Sequence, residues 1–187
     1  MIRPATPNDA PAAVPLLFLA MEEIARKISG TNDMQVVTHI FEHLFREPAN
    51  QYSFENTLIY ESDKGVSGMI IGYDGGRLHE LRKPVLDYIR WQTGAGVCPE
   101  DETQPGEFYL DSIAVAPGNQ GKGIGGQLIN AAVERAAGEG IPKAGLLVST
   151  DNPAAQRLYE RMGFQVEYTI PFAGGRYHHL VKKLQSA

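Results

Sequence analysis

A chain of 187 residues with 43% hydrophobic content suits one compact domain and is short for two. Acidic residues outnumber basic ones by 22 to 17, a formal net charge of -5. That balance argues against a general nucleic-acid binder, whose affinity rests on clustered Lys and Arg neutralising phosphates.

Cys98 is the only cysteine, so no intramolecular disulfide forms, and a lone thiol fits a reducing compartment. Its neighbours give no sign of activation. The start, Met1-Ile2-Arg3-Pro4, lacks the basic-then-apolar layout of a signal peptide. The longest early apolar run, 14–21, contains Pro15 and is far short of the roughly 20 residues that span a bilayer. A soluble, cytoplasmic protein without a membrane partner is expected.

In chain order, residues 2–5 suit a short strand. Asp9 caps a helix over 10–28 that ends at Gly30, and a second helix covers 33–46. Residues 57–61 and 66–73 read as strands joined by a turn at 62–65. Residues 74–106 break the pattern, with Gly75-Gly76, a helix over 79–91, further glycines and an acidic run from Glu100 to Glu102. This stretch reads as a surface insertion or a lid. From Glu107 the alternation sharpens: strand 107–115, helix 123–137, strand 143–149, helix 153–162, then a hairpin of 164–170 and 176–184 about Gly174-Gly175. The order predicts one mixed α/β domain over 1–187.

The segment from Val115 to Gly125 places several glycines where a strand turns into a helix. Glycine permits positive φ and close approach of a ligand. The first helical amides lack internal partners and sit at the positive end of the helix dipole, so the turn suits a pyrophosphate. Lys122 adds charge. A P-loop is excluded, because Ala116 holds its first glycine position and Gly123 its Ser/Thr position. Gly121, Gly123 and Gly126 match G-x-G-x-x-G formally, with Asp151 beyond. However, Ala116 to Gln120 intervene after the strand, and too little chain remains for a doubly wound sheet.

Gln120-Gly121-Lys122-Gly123-Ile124-Gly125, preceded by Val115-Ala116-Pro117, resembles the Q/R-x-x-G-x-G/A signature of the GNAT superfamily of acetyltransferases. The later motif N-x-x-A-x-x-L-Y-x-x-x-G-F matches Asn152 through Phe164, in the family's order and spacing. Capping physics accounts for Asn152, Pro153 and Gly163 but not for Tyr159. The resemblance covers 107–184 well and the N-terminal half in outline.

The resemblance implies a central mixed, mostly antiparallel twisted sheet flanked by helices, with acetyl-CoA as co-substrate and no metal. It implies direct transfer of the acetyl group to an amine within a ternary complex. Backbone amides of Gln120, Gly121, Lys122, Gly123, Ile124 and Gly125 would hold the pyrophosphate. Ile113 and Val115 would pair with the pantetheine arm, and Asn152 would contact that arm or a water. Tyr159 matches the tyrosine that protonates the departing thiolate, a role a phenol with a pKa near ~10 can fill.

The base is left open. Alternation on a strand puts Glu107, Tyr109, Asp111, Ile113 and Val115 on one face. Tyr109 stands where some family members carry a carboxylate, which leaves Asp111 and Glu107 as candidates. A solvated strand carboxylate is the competing reading for each. A non-catalytic acyl-CoA-binding module is the alternative to an enzyme.

His39-Ile40-Phe41-Glu42-His43 matches the inverted zinc-protease motif H-x-x-E-H, but no third-ligand motif accompanies it. Arg176, Tyr177, His178 and His179 lie on the closing strand, where alternate side chains border an acceptor pocket or form a plain strand face. Protein N-termini, lysines, polyamines and antibiotic-like amines all stand as acceptors, and the resemblance brings a homodimer into view, since dimers are common in the family.

Overall fold

The computed structural model describes residues 1–184. In chain order the elements are β1 (Ile2–Pro4), α1 (Ala10–Ser29), α2 (Met34–Arg46), β2 (Thr57–Ser62), β3 (Gly65–Asp74) and α3 (Leu78–Thr93). Then follow β4 (Phe108–Val115), α4 (Ile124–Gly138), β5 (Lys143–Ser149), α5 (Pro153–Arg161), β6 (Gln165–Phe172) and β7 (Gly175–Lys183). Among the described residues one sheet runs in the order β1-β2-β3-β4-β5-β7-β6, and only its β4–β5 pair is parallel. The mixed, mostly antiparallel sheet expected from the sequence is present.

Each face of the sheet carries its own core. α1, α2 and α3 cover one face, where Leu17, Phe41, Ile59, Met69 and Tyr73 are buried together. α4 covers the other, with Ile70, Phe108, Leu128, Phe164 and Leu180. Among the described residues, no helix is long and apolar enough to cross a membrane.

One local feature differs from the sequence reading. Asp9 does not cap α1 with its own side chain. Pro7 starts a 3-10 turn ahead of α1, so Thr6 is the cap of that turn, and Asp9 Oδ2 accepts from the Thr6 N–H at 2.7 Å. The Asp9 carboxylate also receives both terminal nitrogens of Arg3, each at 2.8 Å, tying β1 to the start of α1.

Residues 74–106 form a packed part of the wall. α3 buries Leu78, Leu81, Arg82, Val85 and Ile89 on one stripe. The return loop lays Ala95 and Val97 against the larger core. At Gly30, which ends α1 with φ 65°, an added Cβ would lie 2.5 Å from the Ala95 Cβ. That contact fixes how closely the loop seats on α1.

Candidate active site

The β4–β5 ladder holds only two residue pairs, Phe108 with Ala144 and Tyr109 with Gly145. Beyond them the strands part. Ala116 N–H donates to Ser67 O at 2.9 Å. Alternation in the antiparallel β3–β4 ladder therefore bonds Ala114 and Ser112 to β3. It turns the main-chain groups of Ile113 and Val115 toward β5, where no strand meets them. The Val115 carbonyl accepts from Gln120 Nε2 at 3.1 Å, which confirms its direction.

At the open end lies the glycine turn. Gly121 and Gly123 adopt φ 76° and 77°, the left-handed region that glycine enters without strain. The Gln127 N–H donates to Gly123 O, starting the α4 ladder. The amides of Ile124, Gly125 and Gly126 precede it and have no partner within the helix. Gly123 at the cap position has no side chain to meet them. This donor set fits a pyrophosphate. Lys122 folds back onto the preceding turn, with Nζ donating to Gly118 O at 3.0 Å and Asn119 Oδ1 at 2.9 Å.

A cavity of about 380 Å³ opens where β4 and β5 separate. Its lining includes Ile113 and Asp111 of β4, Asn152 and Tyr159 at α5, and Met21, Tyr52 and Glu102. Asn152 caps α5, its Oδ1 accepting from the Ala155 N–H at 3.1 Å. The half-buried Tyr159 ring meets Phe164 edge-on, with centroids 6.2 Å apart. Burial pushes its phenol above 10.0, so it keeps its proton at neutral pH.

The sequence expectation of one shared β4 face is corrected here. Ile71 pairs with Ser112 and Gly72 with Leu110, leaving Asp111 as the extra residue of a β-bulge. Past the bulge the alternation reverses. Tyr109 joins the α1-side core, whereas Ile113 and Val115 pack toward α4. Asp111 turns to the α1 side, where its Oδ2 accepts from Tyr73 Oη and Gln51 Nε2, both at 3.0 Å. Ser112 Oγ donates to its Oδ1 at 2.9 Å.

The same Gln51 amide donates to Glu102 Oε1 at 2.7 Å, bringing the two carboxylates onto one donor. Glu102 comes from the return loop after α3 and pairs with the buried Arg82 guanidinium. Arg82 also binds Asp101 at 2.9 Å. Burial, then the charge of Asp111, push Glu102 up to about 7, with Arg82 and Gln51 pulling against them. Burial likewise raises Asp111, opposed by its hydrogen bonds to Gln51, Ser112 and Tyr73. Sequence reasoning missed Glu102, Gln51 and Arg82. One signal was present: Arg82 falls on the apolar stripe of α3, and a buried guanidinium requires a buried partner.

Glu107 lies elsewhere. It is fully buried at the closed end of the β4–β5 gap and does not line the cavity. Its Oε1 accepts from Thr103 Oγ1 at 2.6 Å and lies 3.1 Å from His179 Nε2. Glu107 and Asp111 are separated along β4: Glu107 lies just before the strand, where β4 and β5 still pair, and Asp111 lies past that point, where the cavity has opened. On β7, Tyr177 lines the cavity, His178 Nδ1 pairs with Thr169 Oγ1 at 2.8 Å, and His179 is core. In the H-x-x-E-H stretch, His43 stacks on Tyr88 at 4.0 Å and Glu42 pairs with Arg46. Cys98 is exposed at the rim of a second, apolar cavity beside α1.

A family model described as Acetyltransferase (GNAT) family matches residues 20–164. The chain is 44% identical over 61 residues to a mycothiol acetyltransferase of Streptomyces scabiei, 33% of this chain and 19% of that protein. It is 36% identical over 92 residues to the N-alpha-acetyltransferase RimI of Mycobacterium tuberculosis, 46% of this chain and 56% of the relative. The matches thus span about a fifth of the first protein and just over half of the second. A solved structure described as an acetyltransferase superposes with TM-score 0.82 at 28% identity, covering 99% of this chain and 100% of its own. An N-acetyltransferase from Staphylococcus aureus Mu50 shares the fold at TM-score 0.82 and 24% identity, covering 97% of this chain and 99% of its own.

Proposed function

Because the chain belongs to the acetyltransferase (GNAT) family, we propose that it transfers an acetyl group from acetyl-CoA to a primary amine by direct attack within a ternary complex. The single observation that carries this reading is the parting of β4 from β5, with the glycine turn at its mouth and Tyr159 in the cavity it opens.

The turn amides from Gly121 to Gly125 hold the coenzyme's pyrophosphate, with the Gln120 N–H, which donates to Pro117 O at 3.4 Å, beside them. The main-chain groups of Ile113 and Val115, which no strand meets, hold its pantetheine arm, with Asn152 across the gap. When bound, acetyl-CoA supplies an activated acyl carbon and a thiol leaving group. Tyr159, kept protonated by its burial, delivers a proton to the departing sulfur. Asp111, aimed by the bulge, is the β4 carboxylate on the acceptor side.

The test is calorimetric titration of acetyl-CoA into the purified protein, with NADH as the parallel control, followed by turnover against a panel of primary amines. Saturable one-site binding of acetyl-CoA alone is expected. Tyr159→Phe should lower kcat about 10²–10⁴-fold, the usual worth of a general acid, and spare affinity. Binding without turnover of any amine by the unsubstituted protein would instead support a non-catalytic acyl-CoA-binding module. Binding of NADH alone, or of neither ligand, discards the reading.

A further inference from the structure

We propose that Glu102, set in the cavity by Arg82 and joined to Asp111 through Gln51, is the catalytic base that takes the proton of an acceptor amine arriving as its ammonium ion. The inference rests on the acetyltransferase reading above and adds the proton acceptor and the charge of the acceptor.

The site is built rather than incidental. Glu102 is almost fully buried, yet it lines the cavity that also holds Tyr159. The Arg82 guanidinium fixes one carboxylate oxygen, and Pro99 O, Glu100 O and Asp101 Oδ1 hold the guanidinium itself. The second oxygen shares the Gln51 donor with Asp111. The charged and titratable groups facing the pair are Arg82 from α3, Tyr52 from the loop before β2, Tyr73 from β3 and Tyr109 from β4. Burial and the two carboxylates hold all three phenols above their ordinary range, so they stay neutral.

Two buried carboxylates against one guanidinium leave a negative balance toward the cavity, which favours an ammonium over a neutral or anionic acceptor. The apolar walls from Met21, Ile24, Phe172 and Tyr177 exclude much of the water that would otherwise solvate it. An ammonium nitrogen has no lone pair to donate. A carboxyl that titrates near the working pH accepts its proton efficiently, and Glu102 lies at about 7.

The step balances as follows. An N–H bond of the ammonium breaks, and the proton passes to a Glu102 oxygen and then to solvent. The freed lone pair forms the N–C bond to the acetyl carbon as the C–S bond breaks. Tyr159 gives its proton to sulfur, and the second proton shed by nitrogen makes good that loss in net. The sum is ammonium plus thioester to amide, thiol and one released proton.

Glu102→Gln keeps the size of the side chain and removes the acceptor. Against any amine that the unsubstituted enzyme turns over, it should lower kcat about 10²–10⁴-fold. Acetyl-CoA affinity by calorimetry should stay within about twofold, and Glu102→Asp should restore part of the rate. The unsubstituted enzyme should lose kcat as pH falls through about 7. That limb should stay in place for two acceptors of different amine pKa and vanish in Glu102→Gln. A loss under about threefold, or a limb that moves with the amine's own pKa, overturns the proposal. Should Glu102→Gln fail to bind acetyl-CoA, the two-acceptor pH profile of the unsubstituted enzyme decides alone. If that enzyme acetylates no amine, the acetyltransferase reading falls first, which is a separate result.

Discussion

An added Cβ at Gly145 would lie 2.7 Å from Glu107 Oε2, so β5 passes the buried carboxylate with no atom to spare. On its far side His179 Nε2 lies 3.1 Å away, and the His179 ring stacks on Tyr168 at 4.5 Å. Glu107 therefore clasps β4 to β5 and β7 at the one place where β4 and β5 still pair. Burial acts to raise its pKa, but the hydrogen bonds from His179 and Thr103 outweigh it and hold it below the usual carboxylate value. A lowered folded-state pKa gives stability that is present above the unfolded value and lost as pH falls through the folded one. Glu107→Gln should thus cost about 1–3 kcal/mol at pH 7, as expected when buried partners lose a charged acceptor. The deficit relative to the unsubstituted protein should shrink below about pH 4. Turnover by the folded fraction should stay within about threefold, because the clasp is outside the cavity. Denaturant melts at several pH values read the first effect, and amine acetylation at saturating acetyl-CoA reads the second. A collapse of kcat without loss of stability would return Glu107 to the reacting groups.

The bulge in β4 is the element that decides which side chains meet. Opposite it Gly72 has no room: an added Cβ would fall 2.5 Å from Phe108 Cε1, and Phe108 is itself buried. Gly72→Ala should therefore force β3 and β4 apart and cost about 1–3 kcal/mol, the range for overpacking. It should also lower kcat, although the new methyl faces the core, because the register that aims Asp111 would relax. Urea unfolding and steady-state rates check the pair of effects, and a stable variant at full activity would refute the role given to the bulge. Regular elements were readable from sequence to within a residue or two, since periodicity and caps are local signals. The bulge was not, because it depends on how Phe108 and Gly72 share space across two strands. Nor was Glu102, whose neighbours Glu100 and Asp101 are chemically similar. Only the tertiary partner Arg82 separates it from a solvated acidic run. The glycine turn and Tyr159 were legible for the opposite reason: both sit in contiguous motifs whose spacing survives without any knowledge of packing.

At the scale of the molecule, the parting of β4 and β5 leaves the sheet joined across its middle by two residue pairs and the Glu107 clasp. Strands β1 to β4 lie on one side of that seam, and β5, β7 and β6 on the other. α5, which carries Tyr159, packs beside β5. A ligand laid in the seam contacts the glycine turn and β4 on one side and Asn152 and Tyr159 on the other, so it should stabilise the whole chain. A ligand that binds only the folded state at about 100 times its Kd adds about 2.7 kcal/mol. At roughly 2–4 °C per kcal/mol for a chain of this size, acetyl-CoA should raise Tm by about 5–10 °C, rising with the logarithm of concentration, and NADH should not. The Tyr159→Phe protein should show the same rise, since the phenol is assigned to proton delivery and not to holding the coenzyme. An undiminished shift alongside a lost rate separates chemistry from binding. If the shift fell with the hydroxyl, Tyr159 would belong to the coenzyme's grip, and proton delivery to the sulfur would need another donor.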